Sequence, residues 1–240
     1  MELRRFFVTP DNVRGNIVTV TGDEFLHMTR VLRMKPGFKV IVCADDGKER
    51  FCTLREVGSG YALLDQDEVR EADRKKISLT LFCGLLKNSK TDIVVQKAVE
   101  LGVDSVVPFC SAYTAERKFN AERARRIALE AAKQCGSVWL SRVEDAVSFD
   151  EAVGRFEQFD EVFFAYEGER ALSLKKAGVH GSKLALVVGS EGGFRADEVE
   201  KAAANGACIV TLGRRILRAE TADIVGAALV MDAAGELDYD

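Results

Sequence analysis

Gly189-Ser190-Glu191-Gly192-Gly193 places three glycines and a carboxylate directly behind the apolar run Leu184-Ala185-Leu186-Val187-Val188. Such a run suits a buried parallel strand. Glycines at its carboxyl end let the backbone turn sharply and approach a ligand closely, where open α/β sheets bind their ligands. A helix is predicted next, with Asp197 and Glu198 in its first turn complementing the dipole. The loop is a candidate cofactor cradle, although for an isolated glycine loop a plain left-handed turn between strand and helix is the stronger reading. The spacing matches no G-x-G-x-x-G, Walker loop or G-x-S-x-G elbow, which weakens those nucleotide and hydrolase chemistries.

A second segment changes that balance. Ile209-Val-Thr-Leu-Gly213 reads as another strand ending in glycine, and Arg214-Arg-Ile-Leu-Arg-Ala-Glu-Thr-Ala222 leads from it into an apolar helix. Two strand ends with glycine loops can line one pocket together. Arg218, Glu220 and Thr221 fall within four residues, and Thr221 is positioned to cap the helix. The bland alternative makes Arg214, Arg215 and Arg218 solvated cations and Glu220 a first-turn acid.

The elements that must hold these loops follow from periodicity. Residues 1–72 read as β-rich, with strands at Arg5–Val8, Asn16–Val20, Phe38–Cys43, Arg50–Val57 and Tyr61–Asp67, separated by turn signals such as Pro36-Gly37 and Asp46-Gly47. A short helix opens at Thr21-Gly22-Asp23-Glu24 with capping-box spacing. Five strands and a helix suggest a small barrel. The polar stretch Val69–Lys76 ends this pattern. Across 73–240, strands at Ile77–Cys83, Ser105–Phe109, Glu161–Tyr166, Lys183–Val188 and Cys208–Leu212 alternate with helices at Asp92–Leu101, Ala121–Cys135, Arg195–Asn205 and Ala222–Ala233. This is an α/β domain with a covered, mostly parallel sheet.

Composition narrows the function classes. The 240 residues are 47% hydrophobic, enough for real cores, and no stretch approaches the roughly 20 apolar residues of a membrane span. The start Met1-Glu2-Leu3-Arg4-Arg5 runs into Phe6-Phe7-Val8 with no apolar secretory core, so a cytoplasmic protein is expected. Six cysteines without a C-x-x-C pair, and two scattered histidines, argue against a metal site. The net charge of −4 lacks the basic excess of many nucleic-acid binders, yet Arg4, Arg5, Arg30, Arg33 and Lys35 concentrate near the N-terminus.

Gly189-Ser-Glu-Gly-Gly193 followed by Leu212-Gly-Arg-Arg-Ile-Leu-Arg-Ala-Glu-Thr-Ala222 resembles the paired motifs G-P-E-G-G and L-G-x-R-I-L-R-x-E-T-A of the RsmE family. These are SPOUT-superfamily methyltransferases acting on N3 of a uridine in small-subunit (16S) ribosomal RNA. The likeness extends through Lys87, Gln96-Lys97, Glu100–Val103, Pro108, Ser111 and Gln134-Cys135-Gly136, and in the first domain through His27 and Arg30–Met34. Departures are Ser190 in place of the usual proline, and Tyr113 and Ser137 where arginines are common.

The resemblance implies a C-terminal SPOUT domain with a deep trefoil knot, an N-terminal PUA-like barrel that holds RNA, and a homodimer. It implies S-adenosylmethionine, with no metal, held by Gly189, Ser190, Glu191, Gly192, Gly193, Leu212, Gly213, Ile216, Leu217 and Thr221. Methylating uridine N3 requires removal of a weakly acidic proton, so a carboxylate base and a guanidinium facing the developing oxyanion are expected. Glu220 and Arg218 are first choices, with Glu191 as alternative base. Arg5, Arg30, Arg33 and Lys87 are expected to contact small-subunit ribosomal RNA, within the assembled subunit. The competing readings are ribose 2′-O-methylation on the same fold, and a catalytically silent ribosome-assembly factor.

Overall fold

The computed structural model describes residues 3–73 and 75–238. Met1, Glu2, Arg74, Tyr239 and Asp240, and with them parts of the charged start and of the Val69–Lys76 stretch, lie outside the described residues. The chain divides into two compact units. One comprises Met1–Arg74 with Ala132–Leu140, the other Lys75–Ala131 with Ser141–Asp240.

In the first unit β1 (Arg4–Phe7), β2 (Val13–Arg14), β3 (Ile17–Thr21), β4 (Lys39–Cys43), β5 (Lys48–Val57) and β6 (Tyr61–Glu71) form one sheet in the order β1-β4-β5-β6-β3-β2. Alternate residues Val18 and Val20, Val40 and Val42, Cys52 and Leu54, and Ala62 and Leu64 point into a single core with Phe6 and Met28. This is the period-2 pattern of a sheet with one covered face. The extra strand β2 turns into β3 through Gly15-Asn16, with Gly15 at φ 58°, a two-residue hairpin signal that the strand reading passed over. The pairing is an open path rather than a closed barrel: among the described residues no ladder joins β1 to β2.

The expected capping box does not form at α1 (Gly22–Leu26): Thr21 makes no side-chain cap bond. Glu24 is drawn into tertiary contacts instead, accepting from the Phe7 amide at 3.2 Å and the Lys133 ammonium at 2.6 Å. Ala132–Leu140 joins this unit by packing. Leu140 N donates to Asp45 at 3.0 Å, and a Cβ on Gly47 would lie 2.7 Å from the Trp139 ring.

The second unit is built on β7 (Ser78–Gly84), α2 (Lys90–Glu100), β8 (Ser105–Cys110), α3 (Ala121–Cys135), β9 (Arg142–Val143), β10 (Val147–Ser148), α4 (Phe149–Val153), β11 (Glu161–Ala165), α5 (Leu174–Ala177), β12 (Lys183–Val188), α6 (Ala196–Ala204), β13 (Ala207–Val210) and α7 (Ala219–Ala233). The sheet runs β10-β8-β7-β12-β11-β13, with β9 beside β8, and all its ladders are parallel. Strand β12 is buried at every residue but its first, as a strand covered on both faces must be. One face carries a phenylalanine cluster, Phe82, Phe109, Phe149, Phe156, Phe164 and Phe194. On the other, Gly226 of α7 sits against Leu186, where a Cβ would approach to 2.8 Å.

The short elements β9, β10, α4 and α5 are below the length at which periodicity speaks. Two of them carry local signals: Ser148 and Glu151 form a complete capping box at α4, and Ser173 caps α5 by accepting from the Lys176 amide.

Candidate active site

The glycine loop leaves β12 between the ends of its two parallel neighbours, since Val188 pairs with Ala165 of β11 and Cys83 of β7. Its anchor is Phe194, buried in the phenylalanine cluster with its ring centroid 4.3 Å from that of Phe164. A Cβ on Gly189 would lie 2.8 Å from the Phe194 ring, and one on Gly84 would lie 2.7 Å from the Gly189 carbonyl carbon. The loop is therefore pinned on both sides by contacts that admit only glycine. The 190–193 turn closes with Gly193 N donating to Ser190 O at 2.9 Å, and Gly193 takes φ 66°, where a side chain is strained. Ser190 is buried, and its hydroxyl accepts from Thr114 at 3.4 Å.

The second loop follows β13. Thr211 bridges to Ser173, and its hydroxyl donates to Gly213 O at 3.0 Å, while Gly213 adopts φ 137° with open space around it. The two loops face a cavity of about 1080 Å³ at the carboxyl edge of the sheet. Its walls include Gly189–Gly193 and Leu212, Gly213, Ile216, Leu217 and Arg218, so the structure brings these expected residues together. Leu212, Ile216, Leu217 and Phe194 supply apolar wall, with backbone amides and carbonyls between them, a composition suited to a small amphipathic ligand. An adenosyl sulfonium compound fits this lining, and the glycine cradle is the space a Cβ would fill.

Two expected site residues lie elsewhere. Helix α7 begins three residues earlier than predicted, with extended Arg218 as its N-cap and Ala222 N bonded to Arg218 O at 2.8 Å. Thr221 therefore lies in the first turn, exposed, neither capping the helix nor lining the cavity. Glu220 is also absent from the wall. Its carboxylate meets Lys90 Nζ at 3.3 Å, and Lys90 does line the cavity. The same ammonium is 3.5 Å from Glu191, which also accepts from the Lys87 amide at 3.1 Å. Burial pushes the Glu220 carboxyl upward, but its own backbone amide, the Lys90 ammonium and Arg218 outweigh this and hold it below the ordinary value. Glu220 is therefore ionised at neutral pH.

One helical turn on, Asp223 is fully buried, with neither oxygen hydrogen-bonded among the described residues. Burial, reinforced by the Glu220 charge, raises its pKa well above the ordinary value.

Of the expected RNA contacts, Arg5 is occupied internally. Its guanidinium pairs with Glu49 at 2.5 Å and donates to Cys43 Sγ at 3.0 Å, leaving the side chain 9% exposed. Arg30 and Arg33 are exposed and make no ion pair among the described residues, and Lys87 is exposed in the second unit. Sequence reading missed the third wall at the end of β11, which includes Tyr166, Glu167, Glu169, Arg170 and Ser173, and it missed Lys90. The carboxyl-end rule applied to β11 finds the former. No local signal finds Lys90, which reaches the site only through the fold. Among the described residues, no cluster of His, Cys, Asp or Glu could hold a metal, and no helix is long and apolar enough to cross a membrane.

A parallel sheet with a glycine-built cavity at its carboxyl edge, attached to a small β-rich unit, defines the class. Residues 73–231 match the RNA methyltransferase domain family, and residues 20–66 match the RNA methyltransferase PUA domain. The Ribosomal RNA small subunit methyltransferase E of Bacillus subtilis is 33% identical over 220 residues, 86% of each chain. The crystal structure of the Neisseria gonorrhoeae protein of that name, bound to S-adenosyl methionine, superposes with TM-score 0.84 at 25% identity, covering 96% of this chain and 98% of the other. A crystal structure of a hypothetical protein superposes with TM-score 0.88 at 30% identity, covering 98% and 100%. The chain belongs to the ribosomal RNA small subunit methyltransferase E family.

Proposed function

We propose that this protein transfers a methyl group from S-adenosylmethionine to N3 of a uridine in 16S ribosomal RNA. The observation that carries the reading is the convergence of the Gly189–Gly193 and Leu212–Leu217 loops on one cavity, the first of them pinned at Gly189 and Gly84 by contacts that leave no room for a Cβ. Bound S-adenosylmethionine supplies an electrophilic methyl on a sulfonium; the chain must orient the acceptor and manage its proton. Arg218, on the wall, is placed to hold negative charge developing on a uracil carbonyl. Glu191, also on the wall, is better placed than Glu220 to take the N3 proton. Positioning in the cavity supplies much of the remaining acceleration.

The finer features belong to the same proposal. Domains fall at 1–72 and 73–240, with Arg30 and Arg33 of the first holding RNA. Helix α7 packs back on α2, α5, β7 and β12 after the edge strand β13, a return path that supports a trefoil knot. An experimental trace in which residues 166–177 do not encircle the chain beyond Val210 would sink the knot. Ile93, 47% exposed on α2, and half-buried Ile224, Val225, Ala228 and Leu229 on α7 support a homodimer, which sedimentation checks. The substrate is the assembled small subunit, and the protein works in the cytoplasm.

The test is nucleoside mass spectrometry of unmodified small subunits incubated with the purified chain and S-adenosylmethionine. New 3-methyluridine is expected. A 2′-O-methylated nucleoside in its place overturns the N3 assignment, and failure to bind S-adenosylmethionine by calorimetry favours the silent assembly factor.

A further inference from the structure

Lys90 has no place in either glycine motif, yet it is the cation on which both acidic candidates converge. Its ammonium lies 3.5 Å from Glu191 and 3.3 Å from Glu220. These two residues come from different elements, one from the loop behind β12 and the other from the first turn of α7. An ammonium has three donors, so two ion-paired directions leave a third, and Lys90 lines the cavity.

The backbone that delivers it is unusual. Asn88 and Ser89 are consecutive non-glycine residues in the left-handed region, at φ 56° and 58°. That conformation is costly for serine and collects where a fold over-determines a functional segment. The segment is held from both ends. Leu86 N donates to buried Thr91 Oγ1 at 3.1 Å, and Lys87 N donates to Glu191 at 3.1 Å. Lys90 is the first residue of α2, so its side chain starts from a rigid element.

We propose that Lys90 is a catalytic residue, donating to the uracil carbonyl oxygen on which charge develops as N3 loses its proton, and that Glu220 is a positioning residue acting through it. The inference rests on the N3-methylation reading above. In the step, the N3 proton passes to the Glu191 carboxylate and the N3 lone pair bonds the methyl carbon. The carbon–sulfur bond breaks with its electron pair left on sulfur, so the sulfonium charge is lost as the carboxylate is neutralised. Lys90 stays protonated throughout. Arg218 and Lys90 then face the base from different elements, which fixes its orientation as well as its charge.

The test compares Lys90→Met, Lys90→Arg, Glu220→Gln and the double variant Lys90→Met/Glu220→Gln, using small subunits and S-adenosylmethionine. Loss of one preorganised donor lowers kcat about 100-fold in Lys90→Met, with KM for the subunit and calorimetric affinity for S-adenosylhomocysteine within about threefold of the wild type on the same argument, because the lost contact forms only as charge develops. Lys90→Arg restores most of kcat. Glu220→Gln costs about tenfold in the wild type and nothing further in the Lys90→Met background, since the two act as one unit.

A Lys90→Met kcat near the wild-type value overturns the proposal, and so does a Glu220→Gln cost that is the same in both backgrounds. If Lys90→Met does not fold, Glu220→Gln and Lys90→Arg decide: full activity in the first or none in the second overturns the role. A wild-type chain that makes no 3-methyluridine overturns the underlying reading instead, so the two failures are distinguishable.

Discussion

The cavity edge of the second unit and the Arg30–Lys35 edge of the first treat charge in opposite ways. At the cavity, Glu191 and Glu220 are both paired with Lys90 and Glu191 also accepts from the Lys87 amide, beside a loop whose Gly189 has no room for a Cβ. In the first unit, Arg30, Arg33 and Lys35 are exposed and without ion pairs among the described residues. A reacting centre needs groups held in place before charge develops. A phosphate backbone needs only mobile cations, because register is set by the sum of many weak contacts. The difference sets tightly paired charge at the cavity, where the proposed reaction would occur, against unpaired surface cations in the first unit, where the same proposal puts RNA.

The largest break in that contrast is Gly84→Ala. The new methyl meets backbone atoms of Ser190 and Gly189, which have no rotamer to escape into, so the cradle itself must move. Cofactor affinity should fall at least about 100-fold and stability by about 1–3 kcal/mol, read by calorimetry and thermal melting. Unchanged binding would show the cradle to be soft.

Next in size is Asp223, a fully buried carboxylate with neither oxygen hydrogen-bonded among the described residues. Its folded pKa lies well above the ordinary 3.8. Above pH 3.8 the folded state keeps a proton that the unfolded chain releases, so this group removes stability as pH rises, by up to about 1.4 kcal/mol per unit until the folded pKa is reached. Asp223→Asn should therefore melt higher than the wild type, by more at pH 8 than at pH 5. An equal difference at both values contradicts the buried-acid account.

Smallest is the exchange of cations in the first unit. Arg30→Ala with Arg33→Ala should flatten the salt dependence of RNA binding by roughly two units while leaving the melting temperature alone. Arg5→Ala should do the reverse, costing stability through its lost Glu49 pair without touching the slope. If Arg5→Ala also moves the slope, the division between structural and RNA-facing arginines fails.

Much of this was legible beforehand. Lys183–Val188 and Ala121–Cys135 match the observed bounds, because long apolar or amphipathic runs repeat one period over enough residues to be unambiguous. The glycine loops were legible as a pair, each at a strand end. The elements read less well failed for identifiable reasons. Thr21–Glu24 has the spacing of a capping box, but Lys133, 109 residues away, claims the glutamate. Thr221 looked like a cap because a helix start is marked weakly when the N-cap, here Arg218, makes no side-chain bond.

What the sequence determined by itself is the alternation of strand and helix, the position of both loops at carboxyl ends, and the family likeness carried by Gly189–Gly193 and Leu212–Ala222. These are local: a residue's period and its glycines constrain its own segment. The tertiary structure alone decided that Arg5 is an internal ion pair, that Glu220 stands behind Lys90, and that Lys90 faces the cavity. Those facts depend on which distant segment supplies the opposite charge, and Coulomb attraction acts over a few ångströms of space whatever the separation along the chain.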